Sequence, residues 1–248
     1  MSTLNQAFIK VYQRNSVAPQ PHVAFPVPAE TPPVRKRRQI VWPETCESLL
    51  AAAGEGLAAL AAALVDFSLI GPGTLLVTGF RRGEGRTTLL LALARHWSRQ
   101  GRKALLVDAD CQRPQLAERL GVKVDAGWDD ALSGRVSLDQ ALVETADGTA
   151  LLAPRGPVAA EHLRHGGVRP PLPRDPLVRR FDCVCFDAGP LAIGAGRIAE
   201  RLLGSESALD AAVVVRDARH TPPLESEALA RRLAQAGVGH WHLVENFM

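Results

Sequence analysis

The sequence predicts an α/β domain in which a mostly parallel β-sheet is flanked by helices on both faces. Short apolar runs alternate with helix-like stretches, and each run is apolar at consecutive positions, which is typical of strands buried on both faces. The chain has 248 residues, 46% of them hydrophobic, enough for one sizeable core. The predicted strands are 75–78, 104–107, 150–153, 183–186, 211–215 and 241–244, and the predicted helices include 87–99, 114–120 and 224–236.

Residues 1–40 are predicted to be a disordered segment apart from one short amphipathic helix. That helix either docks on a partner or an anionic bilayer, or has no role. Six prolines between residues 19 and 33 predict an extended linker. The basic run at 35–38 is either solvated or attracted to acidic lipid headgroups. The apolar positions of the predicted helix are Leu4, Phe8, Val11 and Tyr12.

Residues 41–70 are predicted to carry an Ala/Leu-rich helix, over 44–66, that packs on the core of a main domain formed by residues 71–248. The first forty residues hold six basic residues and one acidic residue, which leaves a net charge of −2 for the rest of a chain whose formal net charge is +3. A domain without excess positive charge is not expected to bind nucleic acid.

Cysteine usage and the lack of a leader-like segment predict a cytoplasmic protein. The four cysteines are too few and too irregularly spaced for a disulfide framework, which favours a reducing compartment. No cationic start leads into a long apolar stretch, so no signal peptide is expected. The longest Ala/Leu run is shorter than the roughly 20 residues of a membrane span.

A glycine-rich stretch at residues 79–88, the glycine loop, separates the first predicted strand from the first predicted helix. Loops in this position cradle phosphates with backbone N–H groups at a helix N-terminus, while a hydroxyl holds Mg²⁺. A lysine in place of Arg86 would complete the Gly-Lys-[Ser/Thr] ending typical of a phosphate loop. Arginine keeps the charge but is longer and planar, so phosphate binding is expected to survive where catalysis does not.

Carboxylates follow two of the predicted strands. Asp108 and Asp110 end the second run, and Asp187 ends the fourth. Because the ligand site of a parallel sheet lies at the carboxyl ends of its strands, these groups suit metal coordination and water activation beside the glycine loop. In the alternative interpretation, Asp108 and Asp110 are solvated carboxylates that cap the following helix.

Four segments, in this order and spacing, resemble the cytoplasmic domain of the bacterial tyrosine kinases of capsule and exopolysaccharide synthesis, the CpsD/CapB type, within the MinD/ParA branch of phosphate-loop ATPases. The resemblance extends over residues 74–246. Family members show P-G-E-G-K-[ST]-T, D-x-D-x-R-R-P, G-L-x-x-x-L-x-G and Y-D-x-V-I-I-D-T-P-P. The matching segments here are 82–88, 108–114, 127–134 and 181–190.

The resemblance implies a site for ATP and Mg²⁺. Asp108 and Arg86 would be the catalytic residues, and Asn246 would read the adenine. The residues implied to bind the cofactor are Gly83, Glu84, Gly85, Arg86, Thr87, Thr88 and Asn246, and those implied to hold the metal are Thr87, Asp110 and Asp187.

Several departures from the family pattern predict reduced or absent kinase activity. Arg86 replaces the lysine, and Gln112 replaces an arginine. The chain has a single tyrosine, so the tyrosine cluster that these kinases phosphorylate has no counterpart in it. The helix before the main domain offers Glu47 and Glu55 without a partnered arginine of the E-x-x-R type, so ring assembly is not expected from that motif.

These expectations describe an ATP-binding regulator of exopolysaccharide or capsule synthesis or export. Its expected partners are a membrane-anchored protein of the polysaccharide co-polymerase type and further copies of itself. Its expected location is the cytoplasm, peripheral to the inner membrane through that partner. Two alternatives are a non-catalytic adaptor whose loop is empty and a ParA/MinD-like positioning ATPase.

Overall fold

The computed structural model describes residues 9–11, 38–66, 73–158, 180–190, 209–222, 231, 233, 238 and 240–246. The strands are β1 (Ile9–Val11), β2 (Gly73–Gly79), β3 (Ala104–Asp108), β4 (Val143–Glu144), β5 (Ala150–Leu152), β6 (Cys183–Asp187), β7 (Ala211–Asp217) and β8 (His240–Asn246). They form one sheet in the order β1-β8-β7-β2-β6-β3-β5-β4. The six central strands of this order, β8-β7-β2-β6-β3-β5, pair in parallel with their neighbours. The two edge strands, β1 and β4, pair antiparallel with β8 and β5. The predicted α/β fold class is confirmed.

Hydrophobic cores lie on both faces of the sheet, as the consecutive apolar runs predict. Along β6, Cys185 faces the core that contains Leu90, while Val184 and Phe186 face the core that contains Trp128. Alternate side chains of one strand therefore enter opposite cores. The helices are α1 (Glu44–Ala52), α2 (Gly54–Asp66), α3 (Arg86–Arg99), α4 (Leu116–Arg119), α5 (Trp128–Leu132) and α6 (Leu138–Ala141).

The single helix predicted over 44–66 is instead two helices, with a 97° bend between α1 and α2 at Ala53. The glycines at 54 and 56 weaken a continuous helix. The bend lets Cys46 of α1 and Leu57 of α2 enter the same core. No single helix in the described ranges is long and apolar enough to cross a membrane, although α1 and α2 pass that test together as a bent pair.

Glu47 of α1 does have arginine partners, but on another helix of the same chain. Its carboxylate accepts a hydrogen bond from Arg95 Nε of α3 at 3.0 Å and a second from Arg99. The interaction fastens α1 to α3, the helix that begins at the glycine loop. The sequence does not indicate it, because these arginines lie about 50 residues away.

The prediction of a helix in the first dozen residues is wrong for the three of them that the structure describes. Ile9–Val11 form β1, which pairs with β8 so that Ile9 lies opposite Val244. β-branched residues favour a strand, and pairing satisfies backbone groups that the edge of β8 would otherwise expose. The other predictions for residues 1–37 lie outside the described residues, as does most of the helix predicted at 224–236.

Arg38 is the only described member of the basic run, and it is bound within the protein. Its guanidinium donates to the Lys123 carbonyl at 2.7 Å and to Asp125 Oδ2 at 2.6 Å. The backbone of Arg38 also donates to the carbonyl of Glu144 at 2.9 Å. Arg38 is therefore an anchor for the chain before α1 rather than a simply solvated charge.

Candidate functional site

The glycine loop connects the carboxyl end of β2 to the first turn of α3. Gly83 and Gly85 have φ angles of 88° and 90°, in the left-handed region that favours glycine. Left-handed residues at alternate positions turn successive N–H groups towards a common concavity, and the N-terminus of α3 adds its partial positive charge. The loop thus has two left-handed glycines directly before the N-terminus of α3, as its glycine-rich composition predicts, and phosphate binding there stays a prediction.

Glu84 lies inside this loop, and its carboxylate is committed to the protein. The residue is 2% exposed. Its Oε2 accepts hydrogen bonds from the backbone N–H groups of Phe80 at 2.6 Å and Arg81 at 2.9 Å. Its Oε1 accepts one from Thr221 Oγ1 at 2.9 Å. The side chain of this predicted phosphate-binding residue therefore holds the loop in shape.

Thr87 and Asp187, two of the predicted metal residues, are in direct contact. Thr87 Oγ1, in the first turn of α3, donates to Asp187 Oδ2 at the end of β6 at 2.7 Å. Burial raises the pKa of Asp187 to about 6, although the Thr87 hydrogen bond and the nearby Arg86 guanidinium favour its charged form. A hydroxyl and a carboxylate thus lie side by side at the start of α3.

Arg86 is buried and points at the segment that follows β6. Its Nη1 donates a hydrogen bond to the carbonyl of Ala188. Burial lowers the pKa of Arg86, and the carboxylates of Asp187, Asp110 and Glu84 oppose that shift. Two residues further on, the backbone carbonyl of Thr88 accepts a long contact from the Cys46 thiol of α1 at 3.9 Å.

Asp108 caps the helix that follows it, so the alternative interpretation describes its contacts correctly. Its Oδ2 accepts the backbone N–H groups of Gln115 and Leu116, both at 2.8 Å, at the start of α4. The residue is 1% exposed, however, and is not a solvated carboxylate. Burial and the nearby Asp187 raise the pKa of Asp108 to about 7, against the effect of these N–H groups. Its catalytic role stays a prediction.

Asp110 lies between the glycine loop and the segment after β6. Arg82 Nη1 of the loop donates to its Oδ2 at 3.1 Å, and the backbone N–H of Arg113 donates to its Oδ1 at 3.1 Å. A Cβ on Gly189 would lie 3.1 Å from that same Oδ1. The structure therefore places the carboxylates of Asp110, Asp108 and Asp187 near one another at the carboxyl edge of the sheet.

Asn246, at the end of β8, lies against the loop. Its Nδ2 donates to the backbone carbonyl of Glu84 at 3.2 Å, and a Cβ on Gly85 would lie 3.2 Å from the same nitrogen. The contact shows a residue that supports the loop. Its predicted part in reading adenine stays a prediction.

Two further residues, Arg82 and Trp128, contact the site without having been predicted from the sequence. Trp128 is fully buried, and its Nε1 donates to the backbone carbonyl of Asp108 at 2.9 Å. Trp128 occupies the leucine position of the G-L-x-x-x-L-x-G segment, and Arg82 occupies the proline position of P-G-E-G-K. These two exchanges are the signals by which sequence comparison could have found them.

The residues present fit a magnesium-bound nucleotide. The described ranges contain no cluster of three or more His, Cys, Asp or Glu side chains that could hold a metal by itself. Mg²⁺ at a phosphate site, however, keeps waters and phosphate oxygens as ligands and needs only one or two protein groups. The adjacent Thr87 hydroxyl and Asp187 carboxylate supply such groups beside the anion geometry of Gly83 and Gly85.

A family model described as "Cellulose biosynthesis protein BcsQ" matches residues 73–230, which is more than half of the chain and includes the whole glycine loop and the three carboxylates. The chain belongs to the BcsQ family. The matched region runs from the first residue of β2 to beyond the end of β7, so it includes the strands that carry the three carboxylates, whereas β8 with Asn246 lies outside it.

Beyond the BcsQ family, the chain is similar to tyrosine-kinase proteins. It is 28% identical over 144 residues to a protein named as the tyrosine-protein kinase AmsA of Erwinia amylovora. That match covers 53% of this chain and 18% of AmsA, so it spans less than a fifth of that relative. The kinase domain of the Escherichia coli tyrosine kinase ETK superposes with a TM-score of 0.63 at 21% identity, over 86% of this chain and 82% of that one.

A solved structure with a bound nucleotide analogue shares the fold. Cobyrinic acid a,c-diamide synthase from Mycobacterium smegmatis, with ATP analogue and magnesium, has a TM-score of 0.53 at 24% identity. The superposition covers 69% of this chain and 72% of that one. The similarity to AmsA and to the ETK kinase domain confirms the resemblance to bacterial tyrosine kinases, and this BcsQ-family chain has the fold of the phosphate-loop proteins.

Proposed function

We propose that the chain is a nucleotide-binding regulator of extracellular polysaccharide synthesis or export, with reduced or absent kinase activity. The observation that carries the proposal is the paired left-handed geometry of Gly83 and Gly85 directly before α3, with Thr87 bonded to Asp187 at its base. The description of the BcsQ family supports a polysaccharide pathway and points to cellulose as the product.

ATP would lie with its phosphates on the glycine loop, and Mg²⁺ would be held by Thr87, Asp187 and Asp110. Bound Mg²⁺ supplies positive charge that neutralises the phosphate oxygens. The N–H groups of Gly83 and Gly85 bind the anion, and the α3 N-terminus favours its negative charge. Asp110 would exchange its Arg82 partner for the metal.

Reduced catalysis is proposed because both predicted catalytic groups have other partners. Arg86 donates a hydrogen bond to the Ala188 carbonyl, and one carboxylate oxygen of Asp108 accepts hydrogen bonds from two backbone N–H groups at the start of α4. A guanidinium held in this way follows a moving phosphoryl group less readily than the mobile ammonium of a lysine. We therefore expect binding to exceed turnover.

The proposed partner is a membrane-anchored protein of the polysaccharide co-polymerase type, and assembly with further copies of the chain is part of the proposal. The similarity to AmsA and to the ETK kinase domain supports a kinase-like protein, and the description of the BcsQ family supports the polysaccharide pathway in which such a partner would act. The proposed location is the cytoplasmic side of the inner membrane, reached through that partner. Release of the chain from membranes when the partner is deleted would test this placement.

Calorimetric titration with Mg-ATP tests the proposal. We expect micromolar affinity for the native chain, a loss of at least about tenfold in Thr87→Val, and little change in Thr87→Ser, because serine keeps the hydroxyl. Thr149→Val is the matched control, since the buried Thr149 hydroxyl has no hydrogen-bond partner among the described residues. No binding at millimolar nucleotide would overturn the proposal in favour of the adaptor that carries an empty loop.

A further inference from the structure

The Glu84 carboxylate joins two separate parts of the chain. Its four donors are the backbone N–H groups of Phe80, Arg81 and Asp217 and the hydroxyl of Thr221. The first two belong to the glycine loop, and the other two belong to residues 217–221, the β7 turn. The distances from Oε1 are 2.9 Å to Thr221 Oγ1 and 3.5 Å to the Asp217 nitrogen. The hydroxyl is therefore the stronger of the two links to the turn.

The backbone around Glu84 is shaped to admit this carboxylate. A Cβ on Gly79 would lie 2.5 Å from Glu84 Oε2 and 2.6 Å from the carbonyl of Val215, so only glycine fits between β2 and β7 at this point. Thr221 is itself 2% exposed. A buried carboxylate that depends on N–H and O–H donors loses much of its stabilisation when one donor is removed.

The β7 turn presents charged side chains at the surface. The backbone N–H of Thr221 donates to the Asp217 carbonyl at 2.9 Å, which closes the turn. The Asp217 carboxylate contacts His220 Nδ1 at 2.8 Å and the Arg219 guanidinium at 3.2 Å. The His220 and Arg219 side chains are 66% and 50% exposed. The turn therefore carries an exposed cationic arginine and a histidine that depend on its conformation.

We propose that Thr221 is a positioning residue that, through Glu84, couples occupancy of the glycine loop to the conformation of the β7 turn. An anion that orders the glycine loop holds the backbone N–H groups of Phe80 and Arg81 in place. These groups position the Glu84 carboxylate, which in turn positions the Thr221 hydroxyl that donates to it. By linkage, a partner that orders the turn through Arg219 and His220 strengthens binding of the anion. This coupling rests on the proposed nucleotide-binding function.

Amide hydrogen exchange of the full chain, without nucleotide and saturated with Mg-ATP, tests the coupling. In the native chain we expect Mg-ATP to slow exchange in the β7 turn about threefold, in addition to direct protection of the loop. In Thr221→Val the protection of the turn is lost while that of the loop persists. Thr221→Ser, which keeps the hydroxyl, restores it, and Thr149→Val behaves as the native chain.

Exchange without nucleotide separates this inference from the proposed function. Removing the Thr221 donor should speed exchange of the Phe80 and Arg81 amides about tenfold in the nucleotide-free chain. A native chain that fails to bind Mg-ATP defeats the proposed function, while this comparison still tests the link. Unchanged exchange at Phe80 and Arg81 in Thr221→Val, or a β7 turn of the native chain that does not respond to bound Mg-ATP, overturns the coupling. If Thr221→Val does not fold, the coupling is decided by whether Mg-ATP slows amide exchange in the β7 turn of the native chain.

Discussion

Arg82 and Asp110 form an ion pair that joins the glycine loop to the segment after β3, with Arg82 Nη1 3.1 Å from Asp110 Oδ2. The guanidinium also donates to Gln112 Oε1 at 3.1 Å. Asp110 is one of the carboxylates proposed to approach Mg²⁺, so the arginine and the metal compete for the same group. The Arg82 guanidinium therefore supplies positive charge at the place where the metal cation is expected.

Replacing Arg82 should therefore change how nucleotide binding depends on magnesium. In Arg82→Gln we expect half-saturation at a Mg²⁺ concentration about threefold lower than in the native chain, since a partly exposed ion pair contributes about 0.2–1 kcal/mol. The measurement is a titration of ATP binding against Mg²⁺. Arg81→Gln, which removes the same charge from the same loop, should leave this dependence unaltered. Equal Mg²⁺ dependence in the two variants would contradict the competition.

Replacing Arg86 by the lysine of the family pattern should raise the rate of ATP hydrolysis if the rest of the site is intact. Arg86→Lys releases the Ala188 carbonyl and places a compact ammonium at the start of α3, and we expect ATP hydrolysis to rise at least about tenfold. Steady-state phosphate release measures the change. Arg95→Lys is the control on the same helix, where the arginine contacts Glu47 instead. If Arg86→Lys binds Mg-ATP but gains no turnover, Arg86 does not limit catalysis.

Trp128 should contribute to stability through its indole nitrogen. Trp128→Phe leaves the carbonyl of Asp108 without that donor, which should cost about 1–3 kcal/mol beyond the lost packing. Trp97→Phe is matched in volume and burial, but the Trp97 nitrogen has no hydrogen-bond partner among the described residues. Urea unfolding gives both free energies of unfolding. Equal losses in the two variants would show that the hydrogen bond has no net effect.

The buried Asp108 should make the folded state more stable in mild acid than at neutral pH. Its pKa is about 7 in the fold against an ordinary value of 3.8, so between these limits the folded chain retains a proton that the unfolded chain has released. Its contribution is fully present below about pH 4 and is lost as the pH rises through about 7. Thermal unfolding between pH 4 and 8 should show a weaker pH dependence in Asp108→Asn. An identical dependence in both chains would refute the assignment to this residue.

The location of the site at the ends of particular strands could largely be predicted from the sequence, because the succession of strands along the chain and the local composition determine it. The apolar run before Asp187 predicts β6, and the glycines at 83 and 85 predict the turn before α3. The partners of the charged groups could not be predicted. Arg82 and Asp110 are 28 residues apart in the chain, and Glu84 and Thr221 are 137 apart.

The chain by itself determined its alternation of strands and helices, the glycine loop and the acidic strand ends, since each depends on residues that are neighbours along the backbone. Only the tertiary structure decided that Glu84 faces inward, that Asp108 caps α4 and that residues 9–11 extend the sheet. The sheet order places β2 between β6 and β7, so groups far apart in the chain meet around the loop. Most polar groups buried in a protein form hydrogen bonds, and the partners available to them around the loop are set by packing rather than by local sequence.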